Sequence, residues 1–196
     1  MRPAVAAVVL AAGASRRFGG DKLLAPIGGV PLVRLTVRML LDSPVADIVV
    51  VVARGDASIR EAVAGLAVRC VEAEHGTGVM SDSLRAGIAA VTASAAAIVA
   101  LADQPTVPSE VVDRLIDDWR STRSAIVAPR YAGGRGNPVL FDHSLFAELL
   151  LVEGDRGARE VIARSPERVR LIDLPFAMPA DVDTREDWEA LERERR

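Results

Sequence analysis

The chain has 196 residues, 50% of them hydrophobic, which suits a single domain over residues 1–196 with a sizeable buried core, since a domain typically takes roughly 100–200 residues. Its 24 basic against 27 acidic residues give a formal charge of −3, which excludes the basic excess of a non-specific nucleic-acid binder and the acidic composition of a disordered tail. Aromatic residues make up only 4%, too few for the stacking platforms that hold single-stranded nucleic acid.

Taken in chain order, apolar runs at residues 4–11, 48–53, 68–71, 97–102, 125–128 and 169–174 are continuous rather than alternating, the pattern of strands buried on both faces. Helical periodicity lies between them. Leu32, Leu35 and Met39 recur with Val33, Val37 and Leu40; residues 59–66 and 84–91 follow; then Val111, Val112, Leu115, Ile116 and Trp119 share one side. This alternation predicts a three-layer α/β sandwich with a mostly parallel central sheet. Pro31 and Pro108 stand where a first-turn proline is tolerated. From Gly133 to Gly157 the alternation gives way to a glycine-rich stretch, a short strand at 139–141, a helix at 144–151 and a turn at 154–157, read as an insertion serving a pocket. Thr184 followed by Asp187 predicts a capped start for a last helix, Arg185–Glu194. No apolar run approaches the ~18 residues of a membrane helix, and the residues before Ala4 do not form a charged segment followed by a long apolar one. The lone Cys70 excludes an internal disulfide or a cysteine zinc cluster, fits a reducing compartment and reads as core packing, so a soluble cytoplasmic protein is expected.

In open α/β sheets ligands bind outside the carboxyl ends of the strands, so the segment after each apolar run is where chemistry is sought. After the first run comes Ala11-Ala12-Gly13-Ala14-Ser15-Arg16-Arg17-Phe18-Gly19-Gly20-Asp21-Lys22. Small residues let a backbone approach a ligand, amides donate to phosphate oxygens, and the cations face a polyanion. It is neither a Walker A loop nor GxGxxG. Of the 24 basic residues 23 are arginine and only Lys22 is lysine; a compact ammonium is required where a forked guanidinium would not fit, against the plainer reading of a solvated surface lysine. The run at 97–102 ends in Asp103 before Gln104-Pro105, and Asp183 follows the last apolar run with Asp181 two residues earlier. Each is either a site carboxylate or a turn or cap residue. His75 and His143 lack metal-ligand spacing and read as loop residues.

Leu10-Ala-Ala-Gly-x-Ser-x-Arg-x-Gly-x-x-Lys22 resembles the signature of nucleotidyltransferases with a glycosyltransferase-A-like α/β fold, the molybdenum cofactor cytidylyltransferase family above all. Ser81-Asp-Ser-Leu-Arg-Ala-Gly87, Leu101-Ala-Asp-Gln-Pro105, Arg135-Gly-Asn-Pro-Val139, Gly154-Asp-Arg-Gly-Ala-Arg159 and Asp181-Val-Asp-Thr-Arg-Glu-Asp187 extend the match along nearly the whole chain. Val79 stands where that family more often has glycine. The resemblance implies an Mg²⁺-dependent enzyme that transfers CMP from CTP to the phosphate of a molybdopterin-type cofactor and releases pyrophosphate. It implies nucleotide contacts from Leu10, Ala11, Ala12, Gly13, Ser15, Arg17 and Lys22, and metal contacts from Asp103 and Asp183. Lys22, Arg17 and Asp103 form the implied catalytic set: Mg²⁺ takes one or two carboxylates plus substrate oxygens, and the two cations offset charge on the transferred group and the leaving pyrophosphate. No protein base is required, because the acceptor phosphate is already ionised. Ala12 implies CTP, because guanylyl-transferring relatives tend to carry Leu-Ala-Gly-Gly. Ser81 and Ser83 either cap a following helix or contact the nucleotide. Arg135 and Asn137, with Asp155 and Arg156, wall the implied acceptor site.

Three other readings stand beside this one. GTP or a sugar or polyol phosphate would serve a sister transferase, though the Gly154–Arg159 turn argues against the sugar and polyol acceptors. A non-catalytic chaperone would hand molybdenum cofactor to a partner oxidoreductase. A nicotinamide-dependent oxidoreductase is disfavoured by the missing GxGxxG.

Overall fold

Continuous apolar runs become strands with helices on both faces, because each such strand has two faces to bury. The computed structural model describes residues 3–13, 15, 17–73 and 79–194; Ala14 and Arg16 of the first loop, His75 and Gly78 lie outside the described residues. In chain order the elements are β1 (Val5–Leu10), β2 (Pro26–Ile27), β3 (Val30–Pro31), α1 (Leu32–Leu41), β4 (Asp47–Val52), α2 (Ala57–Ala62), β5 (Arg69–Glu72), α3 (Met80–Ala90) and β6 (Ala96–Leu101). They continue with α4 (Ser109–Thr122), β7 (Ile126–Tyr131), β8 (Gly134–Arg135), β9 (Val139–Asp142), α5 (Phe146–Leu149), α6 (Ala158–Arg164), β10 (Val169–Asp173) and α7 (Arg185–Glu194).

The main sheet runs β10-β7-β9-β6-β1-β4-β5, with β8 paired to β7. β1 is parallel to β4 and β6, and β10 to β7. The insertion contributes the exceptions: β9 is antiparallel to β6 and β7, and β8 to β7. Alternate residues of β1 explain the unbroken apolar run. Val5, Ala7 and Val9 join a core with α1, α2 and α4, whereas Ala6 and Val8 join one with α3, α5 and α6.

Several boundaries differ from expectation for local reasons. α2 is Ala57–Ala62 rather than 59–66, because the Asp56 carboxylate accepts from the Ser58 and Ile59 N–H groups and Gly65 turns the chain at φ +78. α3 begins at Met80, so Ser81 and Ser83 lie inside its first turns and neither caps it. The expected helix at 144–151 is a 3-10 turn, His143–Leu145, followed by the short α5. Pro31 and Pro108 are the residues preceding α1 and α4 rather than first-turn residues. Val79 precedes α3 at φ −76 and ψ 131, extended backbone open to any L-residue, so the departure from glycine there carries no strain. The last helix has its expected bounds. Thr184 Oγ1 accepts from the Asp187 N–H at 3.2 Å, and Asp187 Oδ2 accepts from the Thr184 N–H at 2.8 Å, a reciprocal cap that satisfies two otherwise orphan donors.

α3 lies against the sheet at Gly87, where a β-carbon would fall 2.2 Å from Val8 Cγ1 and 3.0 Å from Val51 Cγ2. Gly87→Ala is therefore expected to be destabilising although alanine is the better helix former: overpacking costs roughly 1–3 kcal/mol against a propensity gain of about 1. In thermal unfolding Tm should fall by roughly 2–8 °C. An unchanged or higher Tm would show that helix and sheet separate freely there.

Candidate active site

β1 and β6 are in register, Leu10 opposite Leu101, so Ala11-Ala12 and Ala102-Asp103 leave the sheet side by side. Two hydrogen bonds fix those exits: the Ala11 N–H donates to Val51 O at 2.9 Å, and the Thr36 hydroxyl to Ala102 O at 3.1 Å. Beyond β1 the chain loops through Gly19, at φ +73, into a 3-10 turn, Lys22–Leu24. The turn buries the stem of Lys22 and directs its ammonium to Asp103.

The third contributor is the strap of residues 174–184, which runs from β10 to α7. The Val182 N–H donates to Asp103 O at 3.1 Å, which sets Asp183 beside the end of β6. Lys22 Nζ then lies 2.7 Å from Asp103 Oδ2 and 3.2 Å from Asp183 Oδ1. Arg17 Nη1 lies 2.9 Å from Asp183 Oδ2 on the outside of the cluster. Burial grades across it: the side chains are exposed by 10% at Lys22, 22% at Asp103, 37% at Asp183 and 77% at Arg17. An ammonium so enclosed is not a solvated surface lysine. Because Thr184 takes the cap of α7, the Asp183 carboxylate remains available to the cluster. Its neighbour Asp181 accepts instead from Gln104 Nε2 at 2.5 Å. Burial raises the Asp181 carboxyl above its ordinary pKa; the Gln104 bond opposes this, and the charges of Asp103 and Asp183 add to it.

Asp103 also lines a cavity of about 130 Å³ with Leu10, Ala12, Gly13, Met80, Ser83 and Leu101. The cavity and the cluster thus share one carboxylate. The sequence offered Leu101 only as part of an apolar run and of the Leu101–Pro105 motif, and nothing in it pointed to Met80. Ala11 lies on the other side of the loop: with Ser15 and Gly13 it lines a hollow of about 30 Å³ against Asp56 and Ser58, so its side chain does not face the larger cavity. Ser15 holds φ +47, and its carbonyl accepts from the Phe18 N–H at 3.1 Å. Ser81 is buried away from the cavity, its N–H donating to Gly154 O at 3.2 Å.

That bond ties the 154–157 turn to α3, as does Gly157, at φ +50, whose β-carbon would meet Met80 Cγ at 2.8 Å. Arg85, on α3, pairs with Asp82 and donates to Val152 O at 3.0 Å. Asp155 and Arg156 are exposed on this turn, and Arg135 is exposed on β8. The Asn137 carbonyl accepts from the buried Tyr131 hydroxyl at 2.7 Å, and burial raises that phenol above its ordinary pKa. The structure bonds none of Arg135, Asn137, Asp155 and Arg156 to the Lys22 cluster.

Two carboxylates converging on one cation match the donor set of a hard divalent ion, which takes one or two carboxylates and completes its shell with water and phosphate oxygens. Among the described residues no group of three or more His, Cys, Asp or Glu is arranged to hold a metal, so substrate oxygens would supply the rest of the shell. Burial raises the Cys70 thiol above its ordinary pKa, and this outweighs the opposing effect of Arg60, the reverse of what a nucleophile needs. The His143 ring rests on Phe146 with Nδ1 3.0 Å from Ser94 O. Among the described residues no helix is long and apolar enough to cross a membrane.

A family model described as the MobA-like NTP transferase domain matches residues 7–169. The chain is 32% identical to a nicotine blue oxidoreductase of Paenarthrobacter nicotinovorans, covering 97% of this chain and 95% of that one. It is 29% identical to a probable molybdenum cofactor guanylyltransferase of Thermococcus gammatolerans, covering 91% and 94%. In three dimensions it resembles Rv0371c of Mycobacterium tuberculosis H37Rv, with TM-score 0.86 and 28% identity over 98% of this chain and 99% of that one. Another structure of Rv0371c is a complex with manganese; it gives a TM-score of 0.84 and 27% identity over 97% of this chain and 98% of that one.

Proposed function

The chain belongs to the MobA-like NTP transferase domain family, and from that premise we propose that it transfers CMP from CTP to the phosphate of a molybdopterin-type cofactor, releasing pyrophosphate. One observation carries the reading: Lys22 joins Asp183 and Asp103, and Asp103 itself lines the neighbouring cavity. A nucleobase in that cavity would put its triphosphate over the cluster. A divalent cation held there by Asp103 and Asp183, Mg²⁺ in our reading, would offset phosphate charge and orient the reacting oxygens. Lys22 and Arg17 add donors on the same side, Lys22 exchanging a carboxylate for a phosphate oxygen and Arg17, the most exposed of the four, meeting the leaving pyrophosphate. The acceptor phosphate attacks as an anion, so no side chain has to remove a proton. Arg135, Asn137, Asp155 and Arg156 are our candidates for acceptor binding. In this scheme a molybdenum oxidoreductase receives the product.

The choice of CTP rests on Ala12, whose methyl group takes space in the cavity wall that glycine would leave open. Relatives named guanylyltransferases make GTP the competing substrate. The test is pyrophosphate release with each NTP in turn, Mg²⁺ and the molybdopterin acceptor. CTP is expected to exceed GTP by 10-fold or more, the scale of a few missing contacts in a pocket. Turnover with GTP alone would overturn the base assignment, and failure of all four NTPs to release pyrophosphate would overturn nucleotidyl transfer.

A second reading is favoured by one observation, the similarity to a nicotine blue oxidoreductase. It predicts a nicotinamide-dependent oxidoreductase, read as a substrate-dependent change in NAD(P)H. Under it the Lys22–Asp103–Asp183 cluster has no evident task. A reductase rate that survives loss of Lys22 would favour it over transfer.

A further inference from the structure

The strap offers the cluster two carboxylates, and the structure sorts them. Asp183 meets Lys22 and Arg17, whereas Asp181 is bonded to Gln104. Gln104 follows Asp103 directly and is only 7% exposed, so its amide is a fixed donor rather than a surface side chain sampling rotamers. The strap between the two aspartates is pinned at Val182, through the Asp103 carbonyl. Asp181 is near enough to Asp103, Asp183 and Lys22 for their charges to act on it, yet no third carboxylate among the described residues is oriented with that pair to hold a metal.

We propose that Gln104 is a positioning residue that withholds Asp181 from the cation-binding pair, keeping the protein's share of the shell at two carboxylates. This rests on the cation role of Asp103 and Asp183 proposed above. The physical reason lies in the ligand count. An ion held by two carboxylates keeps positions open for phosphate oxygens, whereas a third carboxylate makes a more self-sufficient site of the kind larger cations favour. It also adds a negative charge facing an incoming triphosphate.

The test is Mn²⁺ titration of the nucleotide-free full chain, followed by the electron paramagnetic resonance of free Mn²⁺. Gln104→Leu removes the donor while keeping the volume. It should tighten Mn²⁺ binding by about 10-fold, within the range that residues behind metal ligands command. Adding Asp181→Asn to Gln104→Leu should reverse the gain. Asp181→Asn alone should leave the wild-type affinity within about 2-fold, since Asp181 gives the site no ligating oxygen and acts on it through its charge alone; this arm also serves if Gln104→Leu does not fold. Unchanged or weaker binding in Gln104→Leu, or a 10-fold loss in Asp181→Asn, would overturn the proposal while the cation reading stands, provided that Asp103→Asn still weakens binding. A wild-type chain that binds no Mn²⁺, or binds it equally well as Asp103→Asn, would overturn both.

Discussion

Replacing Lys22 by alanine is expected to lower the rate of pyrophosphate release by about 10²–10³-fold, the scale of removing one pre-organised electrostatic donor from a transition state. The expectation follows from where its ammonium sits: 2.7 Å from Asp103, 3.2 Å from Asp183 and largely shielded from water, where a charge acts more strongly than in solvent. Lys22→Arg is the sharper variant. The composition tolerates arginine at 23 of 24 basic positions, so whatever keeps lysine here is local. Between two carboxylates at these distances a planar fork would have to displace one of them, and a loss of roughly 10-fold or more is expected despite the conserved charge. Wild-type turnover in Lys22→Arg would return the lysine to an accident of composition. A thermal measurement separates charge from shape: Lys22→Ala removes the cation shared by Asp103 and Asp183 and leaves the exposed Arg17 as the remaining partner of Asp183, so Mg²⁺ or Mn²⁺ should raise its Tm more than that of the wild type. Equal rises would mean that the carboxylates do not share a cation site.

The elements legible in the sequence were those whose residues carry two-sided burial. β1, β4 and β6 fall within a residue of the apolar runs at 4–11, 48–53 and 97–102, because all their residues except Asp47 and Leu101 pack into one of two cores. α6 left no such mark. It is seven residues long and buries only Val161 and Ile162, too few for a helical period, and the glycines before it read as a turn alone. The direction of β9 was equally hidden, since an apolar triplet carries no polarity; the reversal comes from the route of the insertion between β7 and α5. The β2–β3 hairpin does leave a signal in the sequence. Gly28-Gly29, with φ +56 and +77, is a dipeptide suited to a two-residue hairpin turn. At the site, Arg17, Lys22, Asp103 and Asp183 were each nameable by resemblance, but their meeting across 81 and 161 residues depends on strand order and on the strap. The Gln104–Asp181 bond depends on both, and neither residue type signals it.

Asp103→Asn is expected to be the most damaging change among the acidic residues, lowering turnover by about 10²-fold or more at physiological metal concentration, a loss set by the charge rather than the shape. Asparagine keeps the side chain's outline and leaves the backbone acceptor for Val182 in place, so strap and cavity should survive. What disappears is the less exposed of the two carboxylates that Lys22 holds, and the one that lines the cavity proposed for the nucleobase. Asp183→Asn should cost less, because Asp183 is more exposed and already divides its charge between Lys22 and Arg17. The double variant should fall well short of the product of the two losses, as groups acting on one ion behave as a unit. Pyrophosphate release measured against metal concentration distinguishes the roles. If Asp103 holds the ion, its loss raises the metal required for half-maximal rate, and saturating metal recovers only part of the turnover. A turnover that returns to the wild-type value without added metal would place the chemistry elsewhere in the cleft.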